Sequence, residues 1–396
     1  MDSSSDEDIG IALALYVLSS EKRKRRFRAH PINQERERRG VMAKLYPQLC
    51  DDEDKFYNYA RMSRASFEEL LIAVQDDIRK QDTNFQQAIS PRERLLLTLR
   101  FLATGESARS LHYQFRMGDS TVRKVVYDTC ERLWEKLLDK EMPHPTETTL
   151  KEEANAFENM WQFPHCLGAV DGKHINIEIP PNSGSAFLNY NKKDFSIVLQ
   201  GVADAKANFL AVDVGESGNH SDGGIFKHSS FGRALLQQQL PLPQPDAVMG
   251  EVLPYVFVAD EAYPLHPNIM RPFPARGLDD RRRYFNYRLS RARRVVECAF
   301  GIMAQRWGVL KTTMRVNPDK ARKIILACCI LHNFVRRQQD ESVDSAAEEA
   351  STDENPFQQQ RSITERSMSS TGRPPQEAME VREKFANLFV TGLAVP

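Results

Sequence analysis

The sequence predicts a mixed α/β core with helices before and after it, and three observations lead to this fold class. Apolar residues recur at helical spacing between positions 63 and 140. Runs rich in β-branched and aromatic residues, separated by turn residues, follow between positions 165 and 260. Helical spacing then returns in residues 279–307 and 317–337. A chain of 396 residues is long enough for about two or three domains and a sizeable core.

The composition limits the class of protein. Lysine plus arginine equals aspartate plus glutamate, at 54 each, so any binding of nucleic acid must depend on local charge. The six cysteines contain no C-x-x-C pair, which argues against a zinc module or a disulfide scaffold and for a reducing compartment. The apolar run "IGIALALYVL" is too short to span a bilayer, and acids precede it. We therefore expect a soluble intracellular protein without a membrane partner.

Residues 1–62 are predicted to form a basic N-terminal arm with short helices. Within it, residues 22–39 carry nine basic residues and two acids. One interpretation is a solvated arm, and the other is a nuclear-import signal or an arm that contacts the DNA backbone.

Residues 63–150 are predicted to be helical and to contain a helix-turn-helix-like pair. A helix starts after Ser63, and "SPRERLLLTLRFLATG" ends at Gly105, a typical helix stop. "ARSLHYQF" predicts the first helix of the pair, and "STVRKVVYDTCERL", after a turn at Gly118, predicts the second. A helix-turn-helix presents the first residues of its second helix to the major groove. The candidate DNA-contacting residues are therefore Ser120, Thr121, Arg123 and Lys124. The alternative is an ordinary helical hairpin.

Three acids stand out in residues 151–337. Asp171 follows the apolar run "CLGAV", Asp260 follows "YVFVA", and Glu297 lies at the edge of the apolar stripe of a helix. A buried carboxylate is costly without a partner. The alternatives are that each aspartate caps a turn, and that Glu297 pairs with Arg293 or Arg294 on its own helix.

Two neighbouring strands of a mixed sheet can end side by side, which would bring the two aspartates together. Like charges at close range cannot both ionise cheaply, and a divalent cation removes the conflict. Ligands that are all oxygens select Mg²⁺ or Mn²⁺, and two such ions can support phosphodiester cleavage. In "YVFVADEAYPL", strand alternation places Val256, Val258 and Asp260 on one side and Glu261 on the other. Only one of the two adjacent acids can therefore face Asp171.

Five motifs in order carry a resemblance to a known family: "AVDGKHINI", "GNHSDGGIFKHS", "VADEAYPL", "RRVVECAFGIMAQRW" and "ACCILHNF". Together they resemble the PIF/Harbinger superfamily of DNA transposases, including the Harbinger-derived nucleases. The resemblance runs from about residue 22 to the last predicted helix. Ala259 stands where many relatives have glycine, which removes no ligand.

The resemblance implies an RNase H-like catalytic core at 151–337 with a D-D-E metal triad. Carried over, the triad falls on Asp171, Asp260 and Glu297, which are separated by 89 and 37 residues (260−171 and 297−260). It implies DNA as substrate and a pair of divalent ions, Mg²⁺ or alternatively Mn²⁺. It also implies a Myb-like (SANT/trihelix) partner that aids nuclear entry. We expect a nuclear protein, cytoplasmic without its partner, that forms a homo-oligomer on DNA.

Other residues are weaker candidates. His174, Asp222 and Glu261 could support the metal ligands, although a structural histidine and a helix N-cap at Asp222 are the alternatives. Residues 281–294 hold seven arginines and no acid, interleaved with aromatics, which is suited to phosphates and exposed bases. The candidates there are Arg281, Arg282, Arg283, Arg288 and Arg291; a solvated helix face is the alternative.

The rest of the chain is a predicted acidic disordered linker, residues 338–377, and a C-terminal helix and tail, residues 378–396. The sequence therefore predicts a metal-dependent DNA endonuclease or transposase. Two alternatives remain: a domesticated, non-catalytic DNA-binding or scaffold protein on the same fold, and an RNA-directed nuclease.

Overall fold

The N-terminal part of the protein is helical. The computed structural model describes residues 30–82, 87–189, 193–217, 222–338 and 374–391. The helices that precede the first strand in these ranges are α1 Pro31–Gln34, α2 Arg36–Arg39, α3 Val41–Lys44, α4 Tyr46–Cys50, α5 Glu53–Ala60, α6 Arg64–Ile78, α7 Pro91–Thr104, α8 Ala108–Phe115, α9 Asp119–Glu141 and α10 Glu147–Trp161. Residues 22–29 of the predicted basic arm lie outside the described ranges.

The helix ends follow from their sequences. The Ser63 side chain accepts a hydrogen bond from the backbone N–H of Ser66 and starts α6. Gly105 has a φ of 68° and ends α7, which is the left-handed stop that favours glycine. Both ends are confirmed as predicted.

Helices α8 and α9 have the layout of a helix-turn-helix pair. The turn between them contains Arg116, which is left-handed with a φ of 51°, and Gly118. Val122, Val125 and Val126 of α9 are buried. Helix α9 has 23 residues and packs on the late helix α14, Pro318–Gln338. The second helix of the pair thus packs directly on a helix from the C-terminal part of the chain.

A six-stranded sheet forms the core. The strands are β1 Cys166–Asn176, β2 Leu188–Asn189, β3 Asp194–Ala203, β4 Phe209–Ser217, β7 Val256–Val258 and β8 Ile269–Met270, and the hairpin β5 Asp246–Val248 and β6 Glu251–Leu253 is separate. Strand β1 is central: it runs antiparallel to β3 and parallel to β7, and β7 runs parallel to β8. This order is consistent with an RNase H-like core and confirms the predicted fold class.

Helices cover both faces of the sheet. The helices that follow β4 are α11 Asp222–His228, α12 Ser230–Leu236, α13 Asp280–Arg306, a 3-10 helix at Gly308–Lys311, α14 and α15 Gln376–Thr391. Ala169 of β1 belongs to the cluster that includes α13 and α14, whereas Val170 belongs to the cluster with α11 and α12. Because side chains alternate along a strand, Asp171 is on the α13 face with Ala169.

The C-terminal helix α15 packs against the start of α13. Phe385 and Phe389 of α15 contact Phe163, and Phe389 also contacts Phe285 of α13. Most of the predicted linker, residues 339–373, lies outside the described ranges. Among the helices of the described ranges, none has the length and apolar character needed to cross a membrane.

Asn333 of α14 ties this helix to the sheet. Its Oδ1 accepts from the Phe209 N–H at 2.9 Å, and its Nδ2 donates to the carbonyls of Phe209 and Glu141, both at 2.8 Å. We expect Asn333→Leu, which is similar in volume, to lower the free energy of unfolding by about 3–5 kcal/mol, because buried backbone groups lose their partners. Urea unfolding measures this. The exposed Asn155→Leu on α10 is the control, with an expected change below about 0.5 kcal/mol.

His332, beside Asn333, should make the stability depend on pH. It is fully buried, its Nε2 faces the Ala207 carbonyl at 2.8 Å, and burial lowers its pKa from 6.5 to about 3. Below pH 6.5 this histidine binds a proton in the unfolded chain but not in the folded chain. The free energy of unfolding therefore decreases as the pH falls from 6.5 toward 3.

Between pH 7 and pH 5 we expect His332 to cost about 2 kcal/mol of stability. Glu93 and Glu153, whose pKa values burial raises to about 7, act in the opposite direction. The measurement is therefore the difference between wild type and His332→Gln in urea at both pH values. An equal acid loss in the two proteins would contradict the assignment.

Candidate active site

Asp171 and Asp260 come together through the register of two parallel strands. The last paired residues of β1 and β7 are Ala169 and Val258. Asp171 and Asp260 each follow two residues later, which is roughly 7 Å along the chain. Strands β1 and β7 are thus neighbours, as a meeting of the two aspartates requires.

Asp260 lies in a turn and not in the strand. Strand β7 ends at Val258, shorter than the predicted "YVFVAD". The reason is local: Asp260 Oδ1 accepts from the Ala262 N–H at 2.9 Å, and its carbonyl accepts from the Tyr263 N–H at 3.3 Å, which turns the chain. Asp260 remains half-buried while Glu261 is exposed. The contrast favours Asp260 as the acid at the sheet edge.

Helix α13 brings Glu297 to the same region. The predicted apolar stripe of α13 packs on the sheet, with Leu289, Val296 and Phe300 buried. Gly201, the β3 partner of Asp171, allows this close approach, since a Cβ there would lie 3.0 Å from Phe300 Cζ. Glu297 is at the exposed edge of the stripe, with its side chain 49% exposed.

Arg293 bridges two of the three acids. Its Nη1 lies 3.5 Å from Asp171 Oδ2, and its Nη2 lies 2.5 Å from Glu297 Oε1. The salt bridge considered as an alternative for Glu297 therefore exists, but it also includes Asp171. Asp171 is 17% exposed and Arg293 22%, so solvent screens this ion pair less than a surface pair.

The charges of Asp260 and Glu297 act on the carboxyl group of Asp171. Burial is the main cause that raises the pKa of Asp171 to about 7; Arg293 opposes it, and the charges of Asp260 and Glu297 raise it further. Without added positive charge, three ionised acids are therefore unfavourable here. The site has more negative charge than one guanidinium offsets.

The donor chemistry fits a divalent cation of the Mg²⁺ type, because all three candidate ligands are carboxylates. In the described part of the chain, no three His, Cys, Asp or Glu side chains are yet gathered at metal-binding positions. The Arg293 guanidinium contacts both Asp171 and Glu297. Glu297 is half-exposed, and the three carboxylates would have to draw closer to share a cation.

The comparisons with known proteins identify this region. Residues 170–333 match the family described as DDE superfamily endonuclease, and all three acids lie in that span. This part of the chain is therefore similar to the DDE superfamily endonucleases. No solved structure matches the chain.

Three similar proteins agree with this match. Protein ALP1-like of Arabidopsis thaliana is 29% identical over 307 residues, 74% of this chain and 73% of that one. Antagonist of Like Heterochromatin Protein 1 of the same plant is 29% identical over 73% of this chain and 75% of its own. HARBI1 of Xenopus laevis, named as a candidate nuclease, is 26% identical over 64% of this chain and 70% of its own. The Harbinger resemblance is confirmed.

The structure describes two of the candidate supporting residues, His174 and Asp222, to different extents. His174 is on β1, but three positions after Asp171, and alternation puts it on the opposite face, where its Nδ1 lies 2.9 Å from Ser196 Oγ. Asp222 is the first residue of α11, and its side chain lies outside what the structure describes. Lys173, which sequence reasoning missed, shares the face of Asp171, and its Nζ lies 5.7 Å from the Phe300 ring. The sequence indicated this position, because Lys173 follows Asp171 by two residues and side chains two residues apart on a strand share a face.

The arginines at the start of α13 have partners within the chain. Arg281 and Arg282 both contact Glu383 of α15 at 2.7 Å, and Arg283 contacts Asp280 at 3.2 Å. Arg288 and Arg291 donate to Gln162. Glu383 and Asp280, which lie outside residues 281–294, thus offset the charges of three of these arginines, and Gln162 accepts hydrogen bonds from two others.

The first turns of α9 in the helix-turn-helix-like pair remain accessible. Ser120, Arg123 and Lys124 are exposed, and Thr121 is half-buried. Arg123 pairs with Asp119 of the same helix at 3.0 Å. This surface is therefore more open than the arginine-rich start of α13.

Proposed function

We propose that the protein is a metal-dependent DNA endonuclease of the Harbinger type, in which Asp171, Asp260 and Glu297 bind two Mg²⁺ ions. The observation that carries the proposal is the β1–β7 register, which brings Asp171 and Asp260 to one sheet edge under the helix that bears Glu297. The match to a DDE superfamily endonuclease and the resemblance to HARBI1 support it.

The residues around the acids suit phosphodiester hydrolysis. Bound divalent ions would supply an activated water and stabilise the leaving oxygen. The chain itself holds Asp171 on a buried strand and Asp260 in a hydrogen-bonded turn, so both ligands are pre-positioned. Arg293, once displaced from the acids, can donate its planar guanidinium to a phosphate oxygen.

In the reaction, water adds to phosphorus, the P–O bond to the 3′ oxygen breaks, and that oxygen leaves as a 3′-hydroxyl. In a transposition reaction this hydroxyl would attack a second DNA strand. By the resemblance, we extend the proposal to action in the nucleus, to a homo-oligomer on DNA and to a Myb-like partner protein.

A second candidate function is a non-catalytic DNA-binding or scaffold protein that retains this fold. The observation that favours it is the Arg293 bridge, because a guanidinium already offsets two of the three acids. A plant relative is also named for antagonising a heterochromatin protein and not for cleavage.

The experiment that separates the two candidates uses the full purified chain with supercoiled plasmid and linear duplex DNA. Endonuclease function predicts nicking in Mg²⁺ or Mn²⁺, none in EDTA, and ends that a polymerase extends. An RNA–DNA hybrid in parallel tests the RNA-directed reading. Binding without cleavage under all metal conditions, also with a Myb-like protein added, would favour the second candidate.

A further inference from the structure

A cleft of about 660 Å³ separates the helix-turn-helix-like pair from the segment that follows α13. One wall is the end of α7 and the start of α8, the second is α9, and the third is residues 309–316. Its apolar lining includes Phe101, Val122, Val126, Val309 and Ile324. The cleft is not part of the acidic site described above.

The rim of this cleft is positively charged. Arg109, Arg123 and Arg315 line it. The acids nearby are already paired: Glu106 contacts Arg100 at 3.1 Å, and Asp119 contacts Arg123 at 3.0 Å. Arg109 and Arg315 are exposed, and no described acid forms a salt bridge with either of them. Among the described residues, no acid therefore offsets the charges of these two arginines at the mouth of the cleft.

Residues 312–316 connect the cleft to the strand that bears Asp171. The Met314 N–H donates to the Asn176 carbonyl at 3.0 Å, and the Glu178 N–H donates to the Met314 carbonyl at 2.9 Å. Arg315 is thus fixed beside the far end of β1. Asp171 and Ile177 are six residues apart on an extended chain, roughly 20 Å. A ligand that covers both sites must be long, and roughly six base pairs of duplex, at about 3.4 Å each, have this length.

We propose that this cleft binds the phosphate backbone of duplex DNA, with Arg109 and Arg315 contacting phosphates while the same duplex extends toward the acids. The inference rests on the proposed function and names where its substrate is held. Charge complementarity selects DNA, since exposed arginine forks match phosphate oxygens. The rival surface, the start of α13, has Glu383 against two of its arginines.

The test measures DNA affinity by fluorescence anisotropy with a labelled duplex in EDTA, so that no cleavage occurs. The double variant Arg109→Glu/Arg315→Glu is expected to lower affinity at least about tenfold and to reduce the slope of log affinity against log salt by about two. Arg109→Lys/Arg315→Lys retains the charges and should keep the slope. Arg79→Glu/Arg276→Glu makes the same change of charge at two exposed arginines, of which Arg79 pairs with Asp76, and should change affinity less than about twofold.

The outcomes separate this inference from the proposed function. If wild type binds duplex DNA and the cleft variant binds equally well, the cleft assignment is wrong while the endonuclease proposal stands. A larger loss in Arg283→Glu than in the cleft variant would assign binding to α13 instead. Light scattering after gel filtration tests whether a second copy of the chain occupies the cleft. If the cleft variant loses an oligomer and keeps its DNA affinity, the inference is wrong. If the wild-type protein binds DNA but does not cleave it, only the endonuclease proposal is contradicted.

Discussion

Asp171→Asn and Asp260→Asn are each expected to lower Mg²⁺-dependent DNA cleavage at least about 10³-fold, equivalent to about 4 kcal/mol in the barrier. Asparagine has the same shape but no negative charge, so the site loses attraction for the cation and keeps its packing. Asp171 is the sharper case because its side chain is buried between the sheet and Arg293. Single-turnover cleavage of a labelled duplex at saturating protein measures the effect.

Glu261→Gln is the matched control for Asp260→Asn. The two acids are adjacent, and the substitutions remove the same charge, but Glu261 is exposed and Asp260 is half-buried in its turn. We expect cleavage by Glu261→Gln to fall less than about fivefold. Thermal unfolding shows whether each variant is folded. Full cleavage by a folded Asp171→Asn protein would remove Asp171 from the triad, and equal losses at positions 260 and 261 would leave the middle ligand unassigned.

Much of the fold could be predicted because it follows from local patterns. Helix starts such as Ser63 and the stop at Gly105 depend on neighbouring residues. The sequence left open whether the strands at Asp171 and Asp260 are neighbours, and both their pairing and their register came from the structure. The strand prediction was too long at Asp260, because the aspartate side chain favours its own turn over the ladder.

The contacts of the arginines could not be predicted in the same way. Glu383 lies about a hundred residues beyond Arg281 and Arg282, and the aromatic packing of α15 on α13 decides that they meet. Arg109 and Arg315 lie at distant positions in the chain and share a cleft only because α8 and residues 309–316 fold together. Charge runs identify basic residues, but tertiary contacts decide which charges remain available.

Arg293 is the residue whose replacement should change metal binding most directly. Its guanidinium lies between Asp171 and Glu297, so a cation that binds these acids must first displace it. We expect Arg293→Gln to bind Ca²⁺ or Mn²⁺ about tenfold more tightly than wild type in the absence of DNA. Two unit charges at about 4 Å interact by up to about 4 kcal/mol near a protein surface, and desolvation offsets part of this energy.

Isothermal titration calorimetry with Ca²⁺ measures this affinity without any cleavage. Arg294→Gln is the matched control: it removes the same charge one residue along α13, which is about 100° around the helix. It should change Ca²⁺ affinity less than about twofold. DNA cleavage by Arg293→Gln should nevertheless fall, because the displaced guanidinium of the wild type is then available to donate to a phosphate. Tighter metal binding with weaker cleavage is the combination expected of a residue that alternates between the acids and the substrate. Weaker metal binding would instead mean that Arg293 holds the ligands in place.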